Sequence, residues 1–320
     1  MSVTVTVASP ITLAEYAQTF EQGAPTRAFV ENMIAESDVM RAVPFLPATN
    51  GKRAFMDISG LPSVGFRNLN AAGNSATGSF SLREEDTFFI DEYVQADRAI
   101  CDRLGMEHRA RQEKLKTIAL SQMFTSTFIK GDNTSNVAQP TGLQSRCAIT
   151  NYNFLTNSAA SGGAALSLAN LDILYWMVNK PTHWIFPRGL MPYVEAAARN
   201  NNLVNQTIAF AEDDFGRRIM RYKGLPILFG YEPDDTPDML PFTEVGSGGG
   251  AAQTSSIYCV SLRDGGIYAI EQTPLSVLDE GMMVGAPFYS THIKWDWGIA
   301  KEHPKAAARL SSITAATIVA

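Results

Sequence analysis

Long apolar runs, cysteine pairs and blocks of like charge are all scarce in this chain of 320 residues, and each scarcity excludes a class of protein. No apolar stretch approaches the ~20 residues that a membrane-crossing helix needs, so no membrane partner is expected. Met1 to Gln18 lacks a basic stretch followed by an apolar one and does not read as a secretory signal. The three cysteines, Cys101, Cys147 and Cys259, are odd in number and far apart. They supply neither a disulfide framework nor a CxxC zinc pair, and reduced thiols are expected. Charged residues make up 18% of the chain and the net charge is -6. A protein that grips nucleic acid by its phosphates carries basic patches. The densest one here, Arg109 to Lys116, is interrupted by Glu113, so direct reading of DNA is not expected.

Signatures of chemistry are missing as well. Gly60 to Gly65 has phosphate-loop spacing, but Phe66 stands where the lysine must be. Gly246 to Ala251 loosely follows a dinucleotide fingerprint, yet it sits in a linker-like stretch rather than between a strand and a helix. His108, His183, His292 and His303 have no His or Cys neighbour at ligand spacing, and a structural role is expected of each. There is no GxSxG elbow. Asp234, Asp235 and Asp238 suggest a cation loop, but Pro233 and Pro237 interrupt the alternation that calcium ligands require. The residues therefore give no catalytic group, no cofactor site and no metal site.

What remains is organisation. Residues 1–45 read as an arm: a β-prone start from Ser2 to Val7, a small helix over 12–19, and a helix over 26–40 closed by Pro44 and Pro47. Too little apolar surface is spread over it to fold alone, so it must lie on something larger. Residues 48–92 alternate β-like runs, at 53–58, 78–82 and 87–90, with the Gly/Asn-rich stretch 68–78, which reads as the tip of a long hairpin. Residues 92–130 predict one helix capped by Asp91 and ended by Gly131. At about 38 residues it would be roughly 57 Å long, with a bend at Gly105. An α/β stretch follows, with helices at 168–178 and 191–199 and strands at 183–186, 217–222 and 226–230. Residues 257–262 and 267–271 flank a hairpin turn, 288–299 is a long strand, and the stretch from His303 to Leu310 is a tail. Trp295 and Trp297 alternate on that strand and are expected in the core or at an interface. Asp213, Asp214, Arg217 and Arg218 read as surface charges and as candidates for pairing between subunits.

This order of elements, arm, long hairpin, rod-like helix, α/β unit and closing β region, resembles the Hong Kong 97-type fold of tailed-bacteriophage major capsid proteins. Local words agree. Phe128-Ile-Lys-Gly-Asp132 with Gln139-Pro-Thr-Gly-Leu143 resembles the family's helix-end segment. Trp184-Ile-Phe-Pro-Arg188 and Gly224-Leu-Pro-Ile-Leu228 resemble its apical strands, and Val284 to Trp295 with Ala306-Ala-Ala-Arg309-Leu310 its closing strand and tail. The resemblance implies an α+β fold with an N-arm at 1–47, an extended loop at 48–92, peripheral-domain segments at 93–145 and 256–320, and an apical domain at 146–255.

It also implies a function made of surfaces. The chain would self-assemble as hexamers and pentamers into an icosahedral head shell around double-stranded DNA, which it would meet only non-specifically. Its partners would be other copies of itself, a separate scaffolding protein, a portal and decoration proteins. It would be assembled in the host bacterial cytoplasm and reside in the virion. No scaffold is expected to be fused before the arm. The type member's covalent cross-link is not expected, because Lys52 is the sole lysine of 48–92 and no asparagine occurs from Ala251 onward. Arg53, Arg67 and Arg83 are candidates for ion pairs to neighbours instead. Two other readings stay open: an encapsulin-type compartment shell and an α/β enzyme.

Overall fold

The computed structural model describes residues 11–18, 25–150, 152–199, 208–212, 218–230 and 238–319. The segment from Ser2 to Val7 and the residues Asp213, Asp214, Arg217, Asp234 and Asp235 lie outside them.

The arm comprises β1 (Ile11–Thr12), α1 (Leu13–Gln18), α2 (Pro25–Glu36), α3 (Asp38–Ala42) and β2 (Pro44–Pro47). The helix expected over 26–40 is split at Ser37, whose backbone is extended and whose hydroxyl caps α3 by accepting from the Met40 N–H. Ser37 also shares a 2.7 Å hydrogen bond with Thr125. The larger body on which the arm lies is its own chain. Val30, Met33, Val39 and Met40 are wholly buried, and β2 pairs in parallel with β14 (Ile267–Met282).

β3 (Lys52–Gly60) and β4 (Ser79–Asp86) form the long hairpin, antiparallel and isolated as a two-stranded sheet. The next element corrects the expectation of one helix from Asp91. Residues Phe88–Asp97 are strand β5, which pairs with β15 (Phe288–Lys301) over its whole length. The helix starts only at Asp97, whose carboxylate accepts from the Ala99 N–H at 2.7 Å. Gly105, at φ +84°, then breaks it into α4 (Arg98–Leu104) and α5 (Glu107–Lys130). The 24 residues of α5 make a rod of about 36 Å.

Beyond it come α6 (Leu143–Arg146), β6 (Phe154–Thr156), β7 (Ala164–Ser167), α7 (Leu168–Met177), β8 (His183–Ile185), a 3₁₀ turn at Arg188–Leu190 and α8 (Met191–Ala198). The chain continues through β9 (Ile208–Glu212), β10 (Arg218–Tyr222), β11 (Leu225–Leu228), β12 (Glu244–Val245) and β13 (Ala252–Val260), and after β15 it closes with β16 (Ala307–Val319). The tail expected from His303 to Leu310 thus enters, at Ala307, a strand of thirteen residues. Ala307, Ala308, Leu310 and Ile313 are fully buried there, and the small alanines let neighbouring chain approach closely.

Two sheets organise the described residues. One has five strands in the order β1-β2-β14-β15-β5. The other has nine: the path β6-β16-β13-β8-β11-β10-β9, with β12 on β13 and β7 on β16. α5 lies on the five-stranded sheet through an aromatic stack in which Phe124 sits 4.4 Å from Trp297 and 5.5 Å from Trp295, ring centre to ring centre. Phe45 and Phe128 extend the stack. The nine-stranded sheet has its own core around Trp184, Phe186, Leu190 and Ile257. The end of α5 explains the glycines of its sequence word. A Cβ on Gly131 would lie 2.4 Å from the Pro140 carbonyl oxygen, and one on Gly142 would lie 2.6 Å from the Gly131 nitrogen.

Candidate assembly surfaces

Strand alternation gives the hairpin two unlike faces. Met56 pairs opposite Leu82 on one face, which Phe80 shares two residues along β4. Met56 is 74% exposed, Phe80 68% and Leu82 63%. The other face turns to the body and carries buried Phe55 with Asp57, Arg83 and Glu85. The tip adds Leu61, Val64, Phe66 and Leu69, all exposed. So much contiguous apolar surface on a projecting ribbon marks an interaction site.

The root of the hairpin is held by charge. Arg146 grips both carboxylate oxygens of Glu85, at 2.5 and 2.7 Å, and donates to the carbonyls of Thr141 at 2.7 Å and Ile299 at 2.9 Å. Lys52 lies 3.2 Å from Glu84 and 3.5 Å from Asp86.

Arg53, Arg67 and Arg83 each make side-chain contacts within the chain. Arg53 donates to the Pro47 carbonyl at 3.3 Å and stands over the Tyr268 ring. Arg67, in the tip, donates to the Ala71 carbonyl at 3.0 Å. Arg83 pairs with Asp57 at 3.1 Å. Arg218 opens β10, where its backbone pairs with Glu212. Among the described candidates, Arg53, Arg67 and Arg83 sit along the hairpin, whereas Arg218 lies in β10 of the nine-stranded sheet.

Sequence reasoning did not single out the outer face of the five-stranded sheet. Register places Tyr93 and Leu278 on either side of His292. His292 is buried, contacts Asp91 through Nε2 and Glu280 through Nδ1 at 3.2 Å, and stacks on Tyr93 at 4.2 Å. Exposed Phe89, Tyr93 and Leu278 surround this cluster. The alternation in Phe88 to Asp97 was the available signal.

A second anchor joins arm and nine-stranded sheet. Both Asp38 oxygens accept backbone N–H bonds at 2.7 Å, one from Phe229 and one from Gly230. Burial nonetheless pushes its carboxyl up to about 6, against the pull of those bonds. The thiols are buried, and burial raises Cys147 to about 11 and Cys259 further, which makes both poor nucleophiles at neutral pH. Burial likewise lowers His183 to about 4. Among the described residues no group of three His, Cys, Asp or Glu side chains is placed to hold a metal ion.

Residues 21–227 match the family described as major capsid protein GP7. No curated protein matches the chain in sequence. Solved structures of similar fold include the capsid of a native GTA particle, with TM-score 0.58, 14% identity and coverage of 84% of this chain and 88% of that one. A chain of Microbacterium phage Oxtober96 gives 0.59 at 12% identity, covering 87% and 91%. An encapsulin from Synechococcus elongatus PCC 7942 gives 0.59 at 16% identity, covering 96% and 97%.

Proposed function

The chain belongs to the major capsid protein GP7 family, and from that premise we propose that it builds an icosahedral head shell as hexamers and pentamers around double-stranded DNA. Its fold is of the Hong Kong 97 type, shared with phage and GTA capsid chains. The observation that carries the reading beyond family membership is the projecting hairpin, whose Met56, Phe80 and Leu82 face is uncovered. In this reading that face lies on a neighbouring copy. Contacts of this head-to-tail kind close into rings.

The proposal divides the chain into an N-arm, 1–47, an extended loop, 48–92, peripheral segments, 93–145 and 256–320, and an apical domain, 146–255. Arg53, Arg67 and Arg83 on the hairpin, together with Asp213, Asp214, Arg217 and Arg218, are the proposed ionic contacts between copies. The chain performs no catalysis. Its further partners are a separate scaffolding protein, a portal and decoration proteins, with assembly in the host cytoplasm. The encapsulin likeness, at 16% identity, concerns fold alone, whereas the family match favours the viral shell. Electron microscopy of particles purified from infected cells tests the choice: large DNA-filled heads support it, and small particles loaded with enzyme overturn it.

A further inference from the structure

Beneath the hairpin root lies a cavity of about 250 Å³. Its walls come from three distant stretches: Arg83 and Glu85 on β4, Arg146 and Tyr152 after α5, and Lys301 at the end of β15. Three cations thus face one lining carboxylate. Glu85 is already occupied, since both its oxygens are taken by Arg146. Arg83 spends only Nε on Asp57, which leaves the two ends of its fork. Lys301 donates to the Arg146 carbonyl at 3.2 Å, and among the described residues no carboxylate pairs with it. Burial is the main cause that holds its ammonium below the ordinary lysine range, and the Arg146 and Arg83 charges push the same way against Cys147 and Glu85. The subunit therefore keeps an under-compensated cation in a partly dry place, a cost that an incoming anion would relieve.

We propose that this cavity binds a free oxyanion of phosphate size between Arg83 and Lys301, and that the bound anion ties the hairpin root to the body. Room is sufficient. At about 30 Å³ per water the space holds several waters, or one oxyanion with part of its shell. A guanidinium fork beside an ammonium suits an oxyanion better than chloride, because two oxygens are met at once. The anion would bridge β4 to β15 at the point where the hairpin leaves the body. Its consequence is mechanical: the hairpin's angle stiffens when phosphate is present.

The test uses the full chain below its assembly concentration, with sodium phosphate compared against sodium chloride at equal ionic strength and pH. Phosphate should raise the unfolding midpoint saturably, by about 2–4 °C at high occupancy. It should also slow amide exchange across Ser79–Asp86. Lys301→Met and Arg83→Gln should each lose most of that shift, and Lys301→Met should be the more stable chain without phosphate, because it removes the unpaired charge. Equal phosphate shifts in wild type and in both variants would overturn the proposal, as would a midpoint that follows ionic strength alone. Should Lys301→Met fail to fold, Arg83→Gln decides, since its side chain is 59% exposed and lies outside the core.

Discussion

Replacing Phe80 and Leu82 together by serine separates folding from assembly. Both sit on the uncovered hairpin face, 68% and 63% exposed, so the subunit loses little by their removal. Substitutions at such exposed positions usually cost within ~0.5 kcal/mol. In a shell that buries this face the loss is larger. Full burial of a Leu or Phe side chain is worth ~1.5–3 kcal/mol, and about two-thirds of each is still available for burial, which gives roughly 2–4 kcal/mol for the pair. At 1.4 kcal/mol per tenfold, the concentration needed for assembly should rise between about 30-fold and several hundred-fold. Light scattering over a concentration series measures that threshold, and circular dichroism gives the unfolding midpoint of the subunit. Phe55→Ser is the control on the opposite face. It is 8% exposed, so it should lower the midpoint before it touches the threshold. A doubly substituted chain with an unchanged midpoint that assembles at the wild-type threshold would refute the assignment of this face.

Asp38 makes stability pH-dependent with a definite sign. Its folded carboxyl is raised to about 6 from 3.8, so the fold binds the proton more tightly than the unfolded chain and gains stability as pH falls from above 6 toward 4. The full span is about 3 kcal/mol, reduced by the residue's partial contact with water. Midpoints from pH 7.5 to 4.5 should therefore improve for wild type relative to Asp38→Asn, and a flat difference would contradict the sign. Gly131→Ala or Gly142→Ala should cost more than ~2 kcal/mol in urea unfolding, because the added methyl meets backbone oxygens at 2.4–2.5 Å or backbone nitrogen at 2.6 Å. Mature shells boiled in denaturant and reductant should run as a single monomer band, because Lys52 is tied at the hairpin root to Glu84 and Asp86. A surviving ladder of oligomers would show a covalent bond that the hairpin chemistry does not provide.

Elements punctuated by their own residues were legible in the sequence. α7, β8, α8 and the β10–β11 turn fall within a residue or two of expectation, because Pro181, Pro187 and Lys223-Gly224 mark their limits. β5 was misread for a reason that the same rules explain. Val94, Ile100 and Leu104 fall near helical spacing among Glu, Gln and Arg, all good helix formers. Yet Ile90, Val94 and Ala96 also alternate with Phe89, Asp91, Tyr93 and Gln95, and the ten-residue ladder with β15 decides for strand. That ladder joins residues about two hundred positions apart, which no local window contains. β16 was lost likewise: its alanines carry no strand signal alone, and β13 supplies the partner.

The assembly surfaces were half legible for a related reason. A sequence names charges without naming their partners, so Arg83 was available as a contact between subunits while Asp57 already held it. That finding does not remove Arg83 from an interface. With its side chain 59% exposed, the Arg83–Asp57 pair is worth at most ~1 kcal/mol, and exchange for a carboxylate on a neighbour is nearly free. Arg146 and Glu85 are different. Their side chains are 13% and 24% exposed and doubly hydrogen-bonded, and breaking such a buried pair costs ~3–5 kcal/mol. The hairpin is thus firmly held at its root by Arg146 and Glu85 and cheaply re-paired at Arg83 beside it and at Arg67 in the tip. Copies in unlike surroundings can then differ at Arg67 and Arg83 while the root geometry stays the same. Charge substitution tests this division: Glu85→Arg should disturb the subunit itself, whereas Asp57→Asn should leave the subunit intact and change only how copies meet.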